Sequence, residues 1–297
     1  PASASSLDSI ISDPECIEKW RRLSDSHPLA QLHAKFWGKD LAEEEEAWRA
    51  KQQSTSDPSD DESEDDDDIT SGCYVLDIDN YDMSMKSIWV RADYIRIYDF
   101  LVDYYNKKAR HGRGMVPAAV ITGQFGIGKS MWIDYALCRC LAEKRPVIWS
   151  YYRHPVMFAE GGAYCMEAQF ASQFAEAEYK SVPWALVDAD IFWGGIPEDI
   201  VRQNKRFFGI YVSDLPKEDW SCLQKAVPVK VVVMNPWTRS EIHQAAQLNG
   251  CSPGSNIIND TYDEFGLTPR LCSDMASDPH TTLKEYKEKI RRAEMRV

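Results

Sequence analysis

The chain has 297 residues, 44% apolar and 27% charged, an ordinary make-up for a globular protein of one large or two smaller domains. Its net charge is −13, but nine acids and no base fall within residues 57–68, and the remainder carries only −4. That balance gives no general attraction for nucleic acid or anionic lipid, no apolar run approaches the roughly 20 residues of a membrane span, and no membrane partner is expected.

The eight cysteines are scattered. Cys138 and Cys140 are two apart on a predicted helix, so they point to different faces and make a poor metal pair. With no signal-like start, the cysteines read as reduced thiols of an intracellular protein of cytoplasm or nucleus. The chain opens on Pro1 rather than Met. It therefore reads as a fragment or processed form, which leaves a secreted-effector origin open.

In chain order, residues 7–50 carry helix-like patches: Leu7–Ile11, Ile17–Leu23, Leu29–Trp37 and an acidic Leu41–Lys51. Residues 52–70 are Ser, Asp and Glu with almost nothing to bury, the composition of a disordered insert. Order is expected to resume at Cys73–Ile78. Trp89–Tyr105 places Tyr94, Ile97, Tyr98, Leu101 and Tyr105 at helical spacing, the pattern of a packed helix. Lys107–Arg113 reads as a short basic loop. Ala118–Thr122 is an apolar run ending in glycine, and Lys129–Ala142 is helical. Pro146–Tyr152 is a strand, and Met157–Gln169 a hairpin turning at Gly161 and Gly162. Trp184–Val187, Arg206–Val212 and Val229–Met234 are strands, and Ser240–Leu248 a helix. Strands alternating with helices predict an α/β fold with a mostly parallel sheet between helical layers.

The strongest local signal is Gly123-Gln124-Phe125-Gly126-Ile127-Gly128-Lys129-Ser130, which fits G-x-x-x-x-G-K-[ST]. A buried strand leads into it and a helix follows. Glycines let successive N–H groups turn inward toward phosphate oxygens, and the helix adds its positive end. Lys129 is placed to reach the β- and γ-phosphates, with Met131 at the edge of the cradle. The Ser130 hydroxyl is a ligand for Mg2+. A nucleoside triphosphate, ATP or another, with Mg2+ is the expected cofactor pair.

Trp184-Ala185-Leu186-Val187-Asp188 is an apolar strand ending in acid about 60 residues later, and Asp188 is assigned to the metal. Many hydrolysing proteins of this class carry Glu next; here the position is Ala189, which leaves Asp190 as the candidate for orienting the attacking water. Ser213 ends the strand expected between those of the loop and of Asp188, and is assigned as a γ-phosphate sensor. The six histidines are isolated, and no Ser/His/Asp or Cys/His arrangement is supported.

Three further pieces line up with the loop: Ser213-Asp214 after a strand, Pro236-Trp237-Thr238-Arg239-Ser240-Glu241 after another, and Gly266-Leu267-Thr268-Pro269-Arg270. In this order the chain resembles, over roughly residues 89–276, the P-loop NTPase module of Crinkler proteins and trypanosome retrotransposon hot spot proteins, with uncharacterised fungal ATPases alongside. The resemblance implies an ATPase of the AAA+/STAND side of the P-loop class. It implies a helical lid that starts at the Pro-Trp segment and an arginine, Arg270, near the nucleotide. Relatives that use a neighbour's arginine also bring in a homo-oligomer. The chain departs from them at Phe125, often Pro, and at Asp214-Leu215-Pro216, often Ser-Pro with a base. About 27 residues follow Arg270; they read as a basic helix over Leu283–Arg296 with no room for a nuclease, so that activity is not carried over.

The expected organisation is an N-terminal helical extension (1–51), an acidic insert (52–72), a P-loop NTPase core (73–236) and a C-terminal helical lid (237–297). The leading function is ATP hydrolysis coupled to a conformational or assembly change. A slow-turnover nucleotide switch stands beside it. So do a P-loop kinase using Arg202, Lys205 and Arg206, and a degraded NTPase serving as a scaffold.

Overall fold

The structure, a computed structural model, describes residues 6–43, 45–46, 73–80, 85–111, 116–151, 154–167, 170, 173–189, 206–213, 221–248, 259 and 262–263. Its strands are β1 (Trp20–Arg22), β2 (Tyr74–Asn80), β3 (Met85–Val90), β4 (Ala118–Thr122), β5 (Val147–Tyr151), β6 (His154–Ala159), β7 (Gly162–Met166), β8 (Trp184–Asp188), β9 (Phe208–Val212) and β10 (Val229–Val233). The helices are α1 (Pro14–Glu18), α2 (Pro28–Phe36), α3 (Ala92–His111), α4 (Lys129–Ala142), α5 (Ser221–Ala226) and α6 (Arg239–Leu248).

Eight strands form one mixed sheet in the order β1-β7-β6-β5-β8-β9-β4-β10. The run β5-β8-β9-β4-β10 is parallel, and β5-β6-β7-β1 is antiparallel. The mostly parallel α/β expectation is therefore met. The inserted strand is where it was expected, since β9 lies between β4 and β8. A separate β2–β3 hairpin makes a second sheet.

Side-chain alternation assigns the two faces. Ala119 and Ile121, Trp184 and Leu186, and Phe208 and Ile210 join the core under α2, α3 and α4. Ala118 and Val120, Ala185 and Val187, and Tyr211 join the opposite core with Leu7, Cys16, Phe174 and Leu223. Both faces of the central strands are covered, which is why they read as continuous apolar runs.

Three local expectations change. Ile17–Leu23 is not one helical patch: α1 ends at Glu18, and Trp20–Arg22 adds an edge strand to β7 in register Trp20↔Met166. The open ladder of β7 outweighs a weak local helical preference there. Lys107–His111 is not a loop but the last turn of α3. Trp89 belongs to β3, and the helix begins only at Ala92. The hairpin is present, but it runs over residues 154–166, three residues earlier than expected, and turns at Glu160 and Gly161, with Gly162 opening β7. The acidic insert, the Gly-x-x-Pro-Arg segment and the C-terminal basic helix lie outside the described residues. No described helix is long and apolar enough to cross a membrane.

Candidate functional site

Strand β4 is buried along nearly its whole length and delivers the chain to Gly123 at the carboxyl end of the parallel strands, the edge where open α/β sheets bind ligands. The loop then curls. Gly126 has φ 78° and Gly128 φ 92°, a left-handed backbone that a side chain strains. Gly128 is fixed twice over. A Cβ there would stand 2.3 Å from Tyr94 Oη, and that hydroxyl donates to the Gly128 carbonyl at 2.6 Å. Gly128 caps α4, and Lys129 opens the helix.

Lys129 is buried, and its Nζ donates to Gly123 O at 3.1 Å and Gln124 O at 2.8 Å. Its ammonium therefore lies inside the curl of the loop. Gln124, Phe125 and Ser130 are exposed, Phe125 by 64%, while Ile127 is buried and Met131 half-buried. The loop presents the Gln124, Phe125 and Ser130 side chains outward and anchors itself through Ile127.

Asp188 ends β8 opposite Val212, and Ser213 N donates to Ile121 O at 3.0 Å. Thus Asp188, Ser213 and Thr122 lie along one sheet edge, with Asp188 two strands, about 10 Å, from β4. Asp188 and Ser213 are both buried. By alternation Asp188 continues the Trp184–Leu186 row on the face that α4 covers. Ala189 is fully buried among apolar side chains, so no carboxylate follows Asp188 directly.

Sequence reasoning missed the brace behind the loop. Arg91 is 1% exposed. Its Nε and Nη2 donate to the two oxygens of Glu241 at 2.9 and 3.0 Å, and it also donates to the carbonyls of Asn235 and Pro236. Its guanidinium lies 4.6 Å from the Trp237 ring centre. Trp237 Nε1 in turn donates to Ile127 O at 2.7 Å, inside the loop. Asp93 accepts from Asn235 N and Nδ2, both at 2.9 Å. The start of α3 thereby holds the loop and the segment after β10 together. Part of this was readable: Thr238 and Glu241 form a capping box at the start of α6, with Glu241 N donating to Thr238 Oγ1 and Thr238 N to Glu241 Oε2. Trp237 packs into the core and also donates to the loop.

One more acid was overlooked. Asp134, one turn after Ser130 on α4, is 6% exposed, and burial together with the Asp188 carboxylate pushes its pKa well above the usual range.

Asp190 and Arg270 lie outside the described residues, as do Arg202 and Lys205. Arg206 precedes β9 at its amino end, roughly 20 Å along the strand from Ser213, and engages the Glu176 carbonyl and Glu178. Among the described residues no three His, Cys, Asp or Glu side chains group as a metal cluster. A cleft of about 510 Å3, lined by Tyr74, Tyr135, Arg139 and Glu143 among others, lies elsewhere. Arg139 is ten residues, about 15 Å, down α4 from Lys129.

Against known proteins, the chain is similar to two proteins of Phytophthora infestans. Crinkler effector protein 15 is 27% identical and Crinkler effector protein 16 is 26% identical, each over 175 residues. These matches cover 57% of this chain and 27% of either relative, so the chain spans about a quarter of the length of the curated relatives it matches. No family model matches it. The Crinkler part of the resemblance thus has distant support.

Proposed function

We propose that the chain binds a nucleoside triphosphate, ATP foremost, with Mg2+ on the loop Gly123–Ser130, and hydrolyses it to drive a conformational or assembly change. The observation that carries this reading is the loop's conformation. Left-handed glycines at 126 and 128 curl the backbone around the Lys129 ammonium at the start of a buried helix. A curled glycine loop, a helix amino end and a lysine ammonium brought to one place suit a polyanion. Phosphate oxygens would take over the Lys129 bonds now made to Gly123 and Gln124.

The oxygen donors fit a hard dication. Ser130 is exposed beside the loop, and the Asp188 carboxylate is on the face that α4 covers. Those two residues would hold Mg2+, which when bound offsets charge on the phosphates. Gly123 to Met131 would cradle the phosphates, and Ser213 would sense the γ-phosphate. Asp190 is assigned to the attacking water and Arg270 to transition-state charge.

On this reading the fold is a P-loop NTPase of the AAA+/STAND, Crinkler-like kind, intracellular in its working location, with α6 opening the lid and homo-oligomers as the assembly form. The relatives' title of effector belongs to much longer proteins, and an effector role for this chain is a proposal. A slow-turnover switch is the second reading. The buried Ala189, standing where hydrolysing relatives carry Glu, favours it.

Radiolabelled ATP with the full chain tests both. Lys129→Ala removes a charged hydrogen bond and should weaken ATP binding by roughly 10- to 100-fold. Phosphate release that disappears in the variant supports hydrolysis, whereas binding without release supports the switch. Label passing to an added acceptor would instead mark a kinase, and absence of ATP binding by the wild type would end the proposal.

A further inference from the structure

Asp134 is an expensive residue in its place. It sits on a helix that is buried almost all round, among Trp132, Ile133 and Leu137. Its Oδ2 is buried and, among the described residues, has no hydrogen-bond partner. A carboxyl group placed so costs stability, and an apolar side chain of similar volume would cost none. Its location is specific. Residues four apart share a helix face, so Asp134 lies directly below Ser130. Asp188 lies on the sheet face that α4 covers, and α4 packs directly against β8. Ser130, Asp134 and Asp188 therefore surround one region beside the loop.

We propose that Asp134 is a second acidic wall of the divalent-cation site, accepting a hydrogen bond through Oδ2 from the water shell of a cation held by Ser130 and Asp188. This rests on the phosphate-loop reading for the role of those two residues. Asp134 is a positioning residue: it does not reach the phosphates, and it sets how tightly the cation and its waters are held. A dication with its water shell in this region would give the orphaned oxygen a partner. The arrangement favours Mg2+ or Mn2+, which keep several waters when bound, over a larger cation that sheds them.

The test is Mn2+ titrated into the full chain, free Mn2+ being counted by its paramagnetic resonance signal, with and without a non-hydrolysable ATP analogue. Asp134→Asn should weaken Mn2+ binding by about tenfold or more, the usual effect of losing an outer partner of a metal site. Analogue binding in EDTA should stay within about twofold of wild type, because no phosphate contact is removed. Asp134→Leu should show the same metal loss while melting at a higher temperature than wild type in EDTA. That combination excludes a structural role, which would lower the melting temperature and leave the metal untouched. If either folded variant binds Mn2+ within about twofold of wild type, the inference is overturned. Failure of the loop reading looks different. The wild type would then bind no analogue under any condition, and an Asp134-dependent Mn2+ affinity without nucleotide would still uphold the acidic wall.

Discussion

At Gly128 two demands meet in one residue. The left-handed φ of 92° asks for glycine, and the Tyr94 hydroxyl occupies the space where a Cβ would project. Gly128→Ala should therefore cost about 1–3 kcal/mol, the range for strained backbone. Tyr94→Phe, which removes the 2.6 Å bond to the Gly128 carbonyl, should cost about 1 kcal/mol. Combined, they should cost less than their sum, because the phenylalanine no longer places an oxygen where the alanine methyl must go. Urea denaturation of the four proteins measures the coupling. Strict additivity would mean that the hydroxyl does not constrain the loop. Gly128 and Lys129 were plain in the sequence because the chemistry of a phosphate loop dictates residue types at fixed spacing. Tyr94 was legible only as a buried helical residue, since nothing in a sequence says which carbonyl a buried phenol will find.

Among the elements, the brace from the start of α3 to the start of α6 has the clearest energetic consequence. Arg91 and Glu241 are paired through two bonds and are both almost fully buried. Removing one partner strands the other charge in the core, so Arg91→Met should destabilise by about 3–5 kcal/mol. Arg91→Lys should not restore the wild-type value, because an ammonium cannot span both carboxylate oxygens. The double variant Arg91→Met/Glu241→Gln should recover part of the loss, because the glutamine amide oxygen can still accept the capping bond from Thr238 N. A loss for Arg91→Met below about 1 kcal/mol, the level of an exposed pair, would show that the charges are not desolvated. The brace also ties α6 to the loop through Trp237 and Ile127. Trp237→Phe keeps most of the packing and removes that bond, and should loosen nucleotide binding by roughly 3- to 10-fold in a fluorescent-nucleotide titration. Unchanged binding would leave α6 without influence on the loop. The strands and helices of the parallel region were readable because β-branched runs and 3.6-residue spacing are local signals. The brace was not, because its partners are 150 residues apart and an arginine bonded to carbonyls carries no sequence mark.

Across the described molecule, residues 6–43 are fastened to the far edge of the sheet rather than set beside it. Strand β1 extends the sheet beyond β7, Arg22 Nε donates to Gly161 O, and Ile11 bridges Tyr179. His33 on α2 is a buried polar member of this junction. Its Nε2 meets the Ala159 carbonyl at 2.7 Å, and its ring stacks on Trp37. A carbonyl only accepts, so Nε2 carries the proton of the neutral ring. Burial lowers the pKa of His33 below its ordinary value of 6.5, outweighing the bond to Ala159, which acts the other way. The folded chain thus holds this proton less tightly than the unfolded chain does. The stability His33 contributes is complete above the ordinary value and is lost as pH falls through it toward the lowered folded value. Urea midpoints of wild type and His33→Gln between about pH 8 and pH 5 isolate the effect, because every other titrating group is common to both. The wild-type advantage should be constant above about pH 7 and shrink or reverse below about pH 6. An advantage that stays level across the whole range would mean that the His33 ring takes up its proton without leaving its seat on β6, and that the junction is not sensitive to acid.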